Sequence, residues 1–227
     1  MELTERTKNM AKVMRIKIKF LDEILGTNPG DKKIHEEFIA SKGPNAQTRE
    51  DELAHLPESE VVAKEKTVFY RINGEPAVAC YHMLGFFKDT CGALRMVEGT
   101  ESKKLKAYKK KIDGLIKVYP DYHDVTGRYL KIDMAGEMGD CQRPLRAQTL
   151  QGERVALANS ETIPKGSTIH CDIVLIDPSM EKVVREWLDY GVYRGLGQWR
   201  SSGKGAFCWA EIDENGVIIG GNYNDYE

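Results

Sequence analysis

The sequence predicts an α+β fold, an antiparallel sheet covered by helices, and two observations carry that prediction. Several short segments alternate apolar and polar residues at the period of a half-buried strand, and two segments repeat apolar residues at the period of a helix. The two helices lie far apart in a chain otherwise rich in strands, which favours helices packed on antiparallel sheet over a parallel βαβ array. At 227 residues, with 41% hydrophobic and 30% charged residues, the chain has the composition of an ordinary globular protein. It is long enough for one large domain or two fused halves.

Residues 1–12 are polar and read as a leader or a short helix. Val13–Leu21 alternates, with Val13, Ile16, Ile18 and Phe20 against Arg15, Lys17 and Lys19, so a strand with one basic face is expected. Asn28-Pro29-Gly30 reads as a turn. Asp31–Ser41 reads as a short helix, and 42–66, polar and acidic without sustained periodicity, as an insertion. Thr67–Ile72 and Pro76–Cys80 form a hairpin about Asn73-Gly74. The first long helix carries Leu84, Phe87, Cys91 and Leu94 on one side and ends near Arg95. Strands follow at Leu115–Tyr119, Tyr129–Met134, Leu145–Gln148, Arg154–Ser160 and Thr168–Ile176.

The last helix has the strongest signature. Asp177 caps it, Pro178 occupies its first turn, and Met180, Val183, Val184, Trp187 and Leu188 form its buried stripe. Gly191 ends it. Ala206–Ile212 and Val217–Gly221 close the fold as a hairpin. A boundary near 120–140 divides the chain into halves, 13–120 and 121–227.

The run from Gly191 to Gly205 carries the most chemical information. Its five glycines alternate with Arg194, Trp199, Arg200, Ser201, Ser202 and Lys204. Glycine lets a partner approach the backbone closely, arginine and lysine pair with phosphates, and tryptophan offers a face for a base. Gly195, Gly197, Gly203 and these polar residues together read as a cradle for a polyanion, RNA above others. Net charge is only −2, so binding must come from local patches. Residues 103–117 carry seven lysines, Lys109 and Lys110 beside Tyr108 among them, and no Lys or Arg follows Lys204. Lys88 and Arg95 on the first helix, and Arg143 with Arg146, complete the basic clusters.

Other chemistries are poorly supported. The five cysteines are an odd number without a C-x-x-C pair, which reads as reduced thiols in a cytoplasmic protein. No apolar run reaches the ~18 residues of a membrane span. Histidines and cysteines are scattered without zinc-site spacing, and Ser202-Gly203-Lys204-Gly205 lacks the spacing of a nucleotide-binding loop, so no cofactor or metal is expected. His35 is the one weak candidate for a general acid/base; His55, His123 and His170 have no partner at motif spacing.

Three motifs fall in a recognisable order, Phe20–Thr27 (FLDEILGT), Gly85–Arg95 (GFFKDTCGALR), and the late helix followed by the glycine-rich loop and a strand, and Glu161–Ser167 entering the strand at 168–176 fits beside them. In that order the chain resembles the RAMP superfamily, the ferredoxin-like RNA-binding proteins of CRISPR systems. It is most similar to the backbone subunits that polymerise along guide RNA, and to stand-alone relatives from phages and prophages. Met83–Phe87 stands where that family has a Pro-Gly-Ser-Ser helix start, and neither Asp22 nor Asp31 matches its RNA-cutting aspartate.

The resemblance implies one RAMP-like domain with an RRM-like antiparallel core, helices on one face and inserted loops. It implies a guide or other single-stranded RNA as partner, with effector subunits or further copies of the chain beside it, and antiviral defense or its opposition by a phage as the setting. The alternatives are a metal-independent endoribonuclease using His35 and a phage protein-interaction module or inhibitor.

Overall fold

The computed structural model describes residues 11–30, 66–124, 126–149 and 152–226, and for 145–149 and 152–156 the backbone alone. The expected leader, the Asp31–Ser41 helix, nearly all of the 42–66 insertion, and His35 and His55 lie outside the described residues.

The central strand is β1 (Lys12–Phe20), in which Met14, Ile16, Ile18 and Phe20 are each at most 1% exposed. Burying four such side chains contributes about 1.5–3 kcal/mol each. Val13 was expected among them, but the pleat puts it on the opposite face with Arg15, and Met14 takes its place. Two short strands follow, β2 (Ile24–Leu25) and β3 (Asn28–Pro29). The Asn28–Gly30 segment, read as a turn, is thus paired backbone: Asn28 and Pro29 align with β4 (Lys66–Val68).

The strand expected over 67–72 is broken at Phe69. The Phe69 amide donates to Glu161 Oε2, and its ring joins the main core while Val68 and Tyr70 join a smaller one. Two registers replace one, and β5 (Tyr70–Ile72) pairs with β6 (Glu75–Ala79) across Asn73-Gly74. Both turn residues have positive φ, as a type I′ hairpin requires.

Helix α1 (Tyr81–Leu94) buries Met83, Phe86, Phe87, Thr90 and Cys91. The expected stripe is turned slightly, leaving Leu84 and Leu94 at its margins. The lysine segment, expected to lead straight into a strand, is mostly helical: α2 (Glu101–Lys104), capped by Thr100, and α3 (Tyr108–Leu115). Leu105, Tyr108 and Ile112 are spaced by three and four, and only Ile112 is fully buried. Strand β7 (Ile116–Tyr119) then begins, followed by β8 (Tyr129–Asp133).

The expected strands at 145–148 and 154–160 are parts of one long hairpin, β9 (Gly139–Thr149) with β10 (Gly152–Ile163), paired along its whole length. The Glu161–Ser167 motif is the end of β10 and the turn that delivers it into β11 (Thr168–Leu175). Ser167 Oγ donates to the Pro164 carbonyl and accepts from the Ala135 amide, while the Gly166 amide donates to the Phe20 carbonyl. Glu161 accepts both Arg71 Nη2 contacts at 2.9 Å.

Helix α4 (Glu181–Asp189) follows a 3-10 turn capped by Asp177, and the whole expected stripe is buried. It ends at Asp189 and passes into a 3-10 turn, Tyr190–Val192, so Gly191 is not its left-handed cap. A Cβ on Gly191 would lie 2.4 Å from the Phe207 ring, so close packing is what requires glycine there. Strands β12 (Phe207–Ile212) and β13 (Ile218–Gly221) close the chain as expected.

The large sheet runs β13-β12-β1-β11-β8-β6-β5, with β7 sharing the β11 edge with β8. Taking β1, β7/β8, β11 and β12 as first to fourth, the core order is 4-1-3-2 with α1 and α4 as its two helices. That is a ferredoxin-like α+β core. One sheet face meets both helices, with Phe87 and Trp187 ring centroids 5.4 Å apart and Phe86 and Phe207 5.1 Å apart. On the other face, Lys17 and Lys19 lie over Tyr223, and Arg15 over Tyr122. The second sheet, β2-β10-β4-β3 with β9, is built from the inserted segments.

Candidate functional site

The glycine-rich loop runs from the end of α4 to the start of β12 and is pinched at its base. The Leu196 amide donates to the Gly205 carbonyl at 3.0 Å, and the Gly205 amide donates to the Glu23 carbonyl at 2.8 Å. A Cβ on Gly195 would lie 2.0 Å from the Gly205 carbonyl carbon, and one on Gly205 would lie 1.9 Å from the Leu196 oxygen. Two strands of backbone touch there, which only glycine allows. Gly197 is fitted against the β2 backbone in the same way, 2.8 Å from the Leu25 oxygen. Gly203, in contrast, faces open space and closes the 3-10 turn Arg200–Ser202 with φ +88°.

The loop's cations are held by acids elsewhere in the chain. Arg194 Nε and Arg200 Nη1 both donate to Asp89 Oδ2 on α1, at 2.8 and 3.0 Å. Lys204 Nζ lies 2.8 Å from Glu23 and 3.2 Å from Asp22, and those hydrogen bonds, Glu23 first, raise its pKa above the ordinary lysine value. Lys204 therefore clamps the loop to the FLDEILGT segment. Asp89, by contrast, serves two guanidiniums with one carboxylate, which leaves one positive charge there uncompensated. Sequence reading missed Asp89, since nothing local marks it as the partner of residues more than a hundred positions away.

Three sequence-distant clusters meet on the outer face of α1. An open groove of about 660 Å³ has Lys88, Asp89 and Gly92 from α1, Tyr108 and Lys109 from α3, and Tyr190 and Arg194 from the α4 exit among its lining residues. Arg95 lies over the Tyr108 ring at 5.3 Å, and Lys88 pairs with Asp113 at 2.5 Å. Gly92 leaves the Tyr108 hydroxyl room: a Cβ there would be 3.4 Å from it. Tyr190, unmarked in sequence, comes within reach only because the chain turns back over α1 after α4. Lys110 sits exposed on α3 and is not among the groove residues.

Arg143 lies elsewhere, on β9, and contacts the tip of the loop. Its guanidinium lies over the Trp199 ring at 5.3 Å and donates from Nη2 to Gln198 Oε1 at 2.6 Å. Trp199 is 41% exposed, and Ser201 and Ser202 beside it are exposed. Arg146 pairs by backbone with Val155 in the hairpin, and its side chain lies outside the described residues. A smaller cavity of about 340 Å³, lined by Tyr81, His82, Phe86, Leu196 and Arg200 among others, separates the start of α1 from the loop.

Of the described histidines named from sequence, His123 lies in the turn after β7 and His170 is exposed on β11, where partial desolvation and then the nearby Lys17 lower its pKa. Among the described residues no group of His, Cys, Asp and Glu is arranged to hold a metal ion, and no helix is long and apolar enough to cross a membrane.

No family model and no curated protein matches this sequence. Among solved structures, the fold is similar to a chain in the cryo-EM structure of the Type III-B Cmr-beta bound to cognate target RNA. The identity is 10% and the TM-score 0.49, over 88% of this chain and 59% of the other. The chain thus spans about three-fifths of that neighbour's length.

Proposed function

We propose that the groove on α1 holds a single strand of RNA, largely independently of sequence. The observation that carries this reading is the groove itself, which gathers Lys88, Lys109 and Arg194 around Tyr108 and Tyr190. Cations that track phosphates beside aromatic faces on which bases stack are the combination single-strand binders use. Asp89 shared between Arg194 and Arg200 supports it, because a phosphate arriving there gains a guanidinium without stripping the carboxylate of both partners. The ferredoxin-like core agrees with the RAMP resemblance of the motifs. On that reading the chain is one RAMP-like domain of two halves, 13–120 and 121–227. It holds guide RNA in the cytoplasm, beside effector subunits or further copies of itself.

The test is anisotropy of labelled single-stranded RNA against a Lys88→Gln/Lys109→Gln/Arg194→Gln triple variant. Affinity is expected to fall at least tenfold, and the salt slope by about two, from about 0.7 per lost phosphate contact on a single strand. Unchanged affinity and slope in a variant that melts like the wild type would sink the groove as the RNA site.

A further inference from the structure

Arg143 is the least expected side chain in the molecule. It is 7% exposed, yet its Nε and Nη1 have no hydrogen-bond acceptor, and no carboxylate among the described residues pairs with it. Its one polar contact among the described residues is the neutral Gln198 oxygen at Nη2, and the Trp199 ring covers it at 5.3 Å. Buried charges are ordinarily paired, because a guanidinium taken out of water without a counter-charge carries a large desolvation cost. Here the cation is desolvated, fixed in orientation by a stack and a hydrogen bond, and left with two donor nitrogens that are closed to solvent and unpaired among the described residues.

A second observation falls on the same spot. Trp199 holds a left-handed backbone, φ 55° and ψ 34°, which a bulky L-residue rarely adopts. Such strain persists only where the surroundings enforce it, and it concentrates at functional positions. In this molecule it presents the indole to Arg143. The loop and the β9–β10 hairpin meet through this pair.

We propose that Arg143, with Gln198 and Trp199 positioning it, is a binding site for a phosphate oxyanion. A planar guanidinium with free N–H donors is suited to phosphate oxygens, and the missing negative charge is the one the ligand brings. The bound anion ties the β9–β10 hairpin to the loop. The site is separate from the groove on α1 and stands whether or not that groove takes RNA, since its ligand is a phosphate in a nucleic-acid strand or a free one.

The experiment follows the Arg143 Nε–H resonance, assigned by its loss in Arg143→Lys, while inorganic phosphate and then single-stranded RNA are titrated into the full chain. A shift with either ligand supports the site. A shift with RNA alone identifies a strand phosphate as the source, and a shift with inorganic phosphate alone identifies a free anion. Arg143→Lys, which keeps the charge and loses the planar fork, should weaken the responding ligand at least tenfold. In the absence of ligand, Arg143→Met should melt at or above the wild-type temperature, because it removes an unpaired buried charge. An Nε–H signal indifferent to both ligands, or a melting point lowered by Arg143→Met, would overturn the proposal and mark Arg143 as structural.

Discussion

At the scale of single residues, the glycine-rich loop separates two requirements for glycine. Gly195 sits where backbone crosses backbone, so Gly195→Ala places a methyl group 2.0 Å from the Gly205 carbonyl carbon and forces the loop open. Gly203 needs only its positive φ and meets nothing. Gly203→Ala is therefore expected to cost about 1 kcal/mol, and Gly195→Ala upward of about 3 kcal/mol. Urea denaturation of the two variants checks this, and equal losses would mean that φ alone decides both positions. Sequence showed five glycines as one class, and the distinction came from what each faces. The thiols follow the same logic. Burial pushes Cys80 up to about 12 and raises Cys91 and Cys171 as well, so these three are poor nucleophiles near neutrality.

At the scale of elements, helix α2 exists because α4 holds its first turn. Glu186 accepts from the amides of Glu101 and Ser102 at 2.6 and 3.0 Å and from Ser102 Oγ at 2.5 Å. Ser102 Oγ accepts from Trp187 Nε1 at 2.9 Å, deep between the helices. A carboxylate at a helix N-terminus also meets the positive end of its dipole. Four residues of helix are too few to stand alone. Glu186→Ala is therefore expected to cost about 2–4 kcal/mol, from several charge-assisted hydrogen bonds lost together, with faster amide exchange across 100–105. A loss under about 0.5 kcal/mol, the range of an ordinary surface change, would show that α2 does not depend on this clamp. The signal for α3 was present in the four-residue spacing of Tyr108 and Ile112, but the surrounding lysines masked it as solvated surface. The lysine stems stand outward on helices whose burial rests on a few apolar residues.

At the scale of the whole molecule, the sheet brings charged groups from separate segments together and so sets the pH response of the fold. Asp172 on β11 is 8% exposed and accepts from the Tyr122 amide at 2.9 Å. Burial raises its pKa above the ordinary 3.8, against that hydrogen bond and the nearby Arg15. An acid whose folded pKa is raised binds its proton more tightly in the folded state. Its contribution is fully present below 3.8 and is lost as pH rises through the folded value. Asp172→Asn, which keeps the amide acceptor and removes the charge, should be at least as stable as wild type at neutral pH. Melting curves should show the wild type gaining on the variant as pH falls toward 4. A wild type that loses ground instead would reverse the sign of the shift.

Strand periodicity, the Asn73-Gly74 turn and the stripe of α4 are local properties, set by neighbours within a few residues. They made the α+β class legible from sequence alone, and the ferredoxin-like expectation came from the resemblance carried by the order of motifs. Chemistry at the candidate site is long-range. Asp89 shared between Arg194 and Arg200, Lys204 turned inward onto Asp22 and Glu23, and Tyr190 folded beside Tyr108 depend on which elements pack together. The same cause isolates Arg143, the one loop-facing cation that tertiary packing buries without a counter-charge among the described residues. Sequence determined which side chains carry charge and which segments form elements. Only the tertiary structure decided which charges meet a partner, because a pairing energy depends on distance and burial, and neither is a property of a residue on its own.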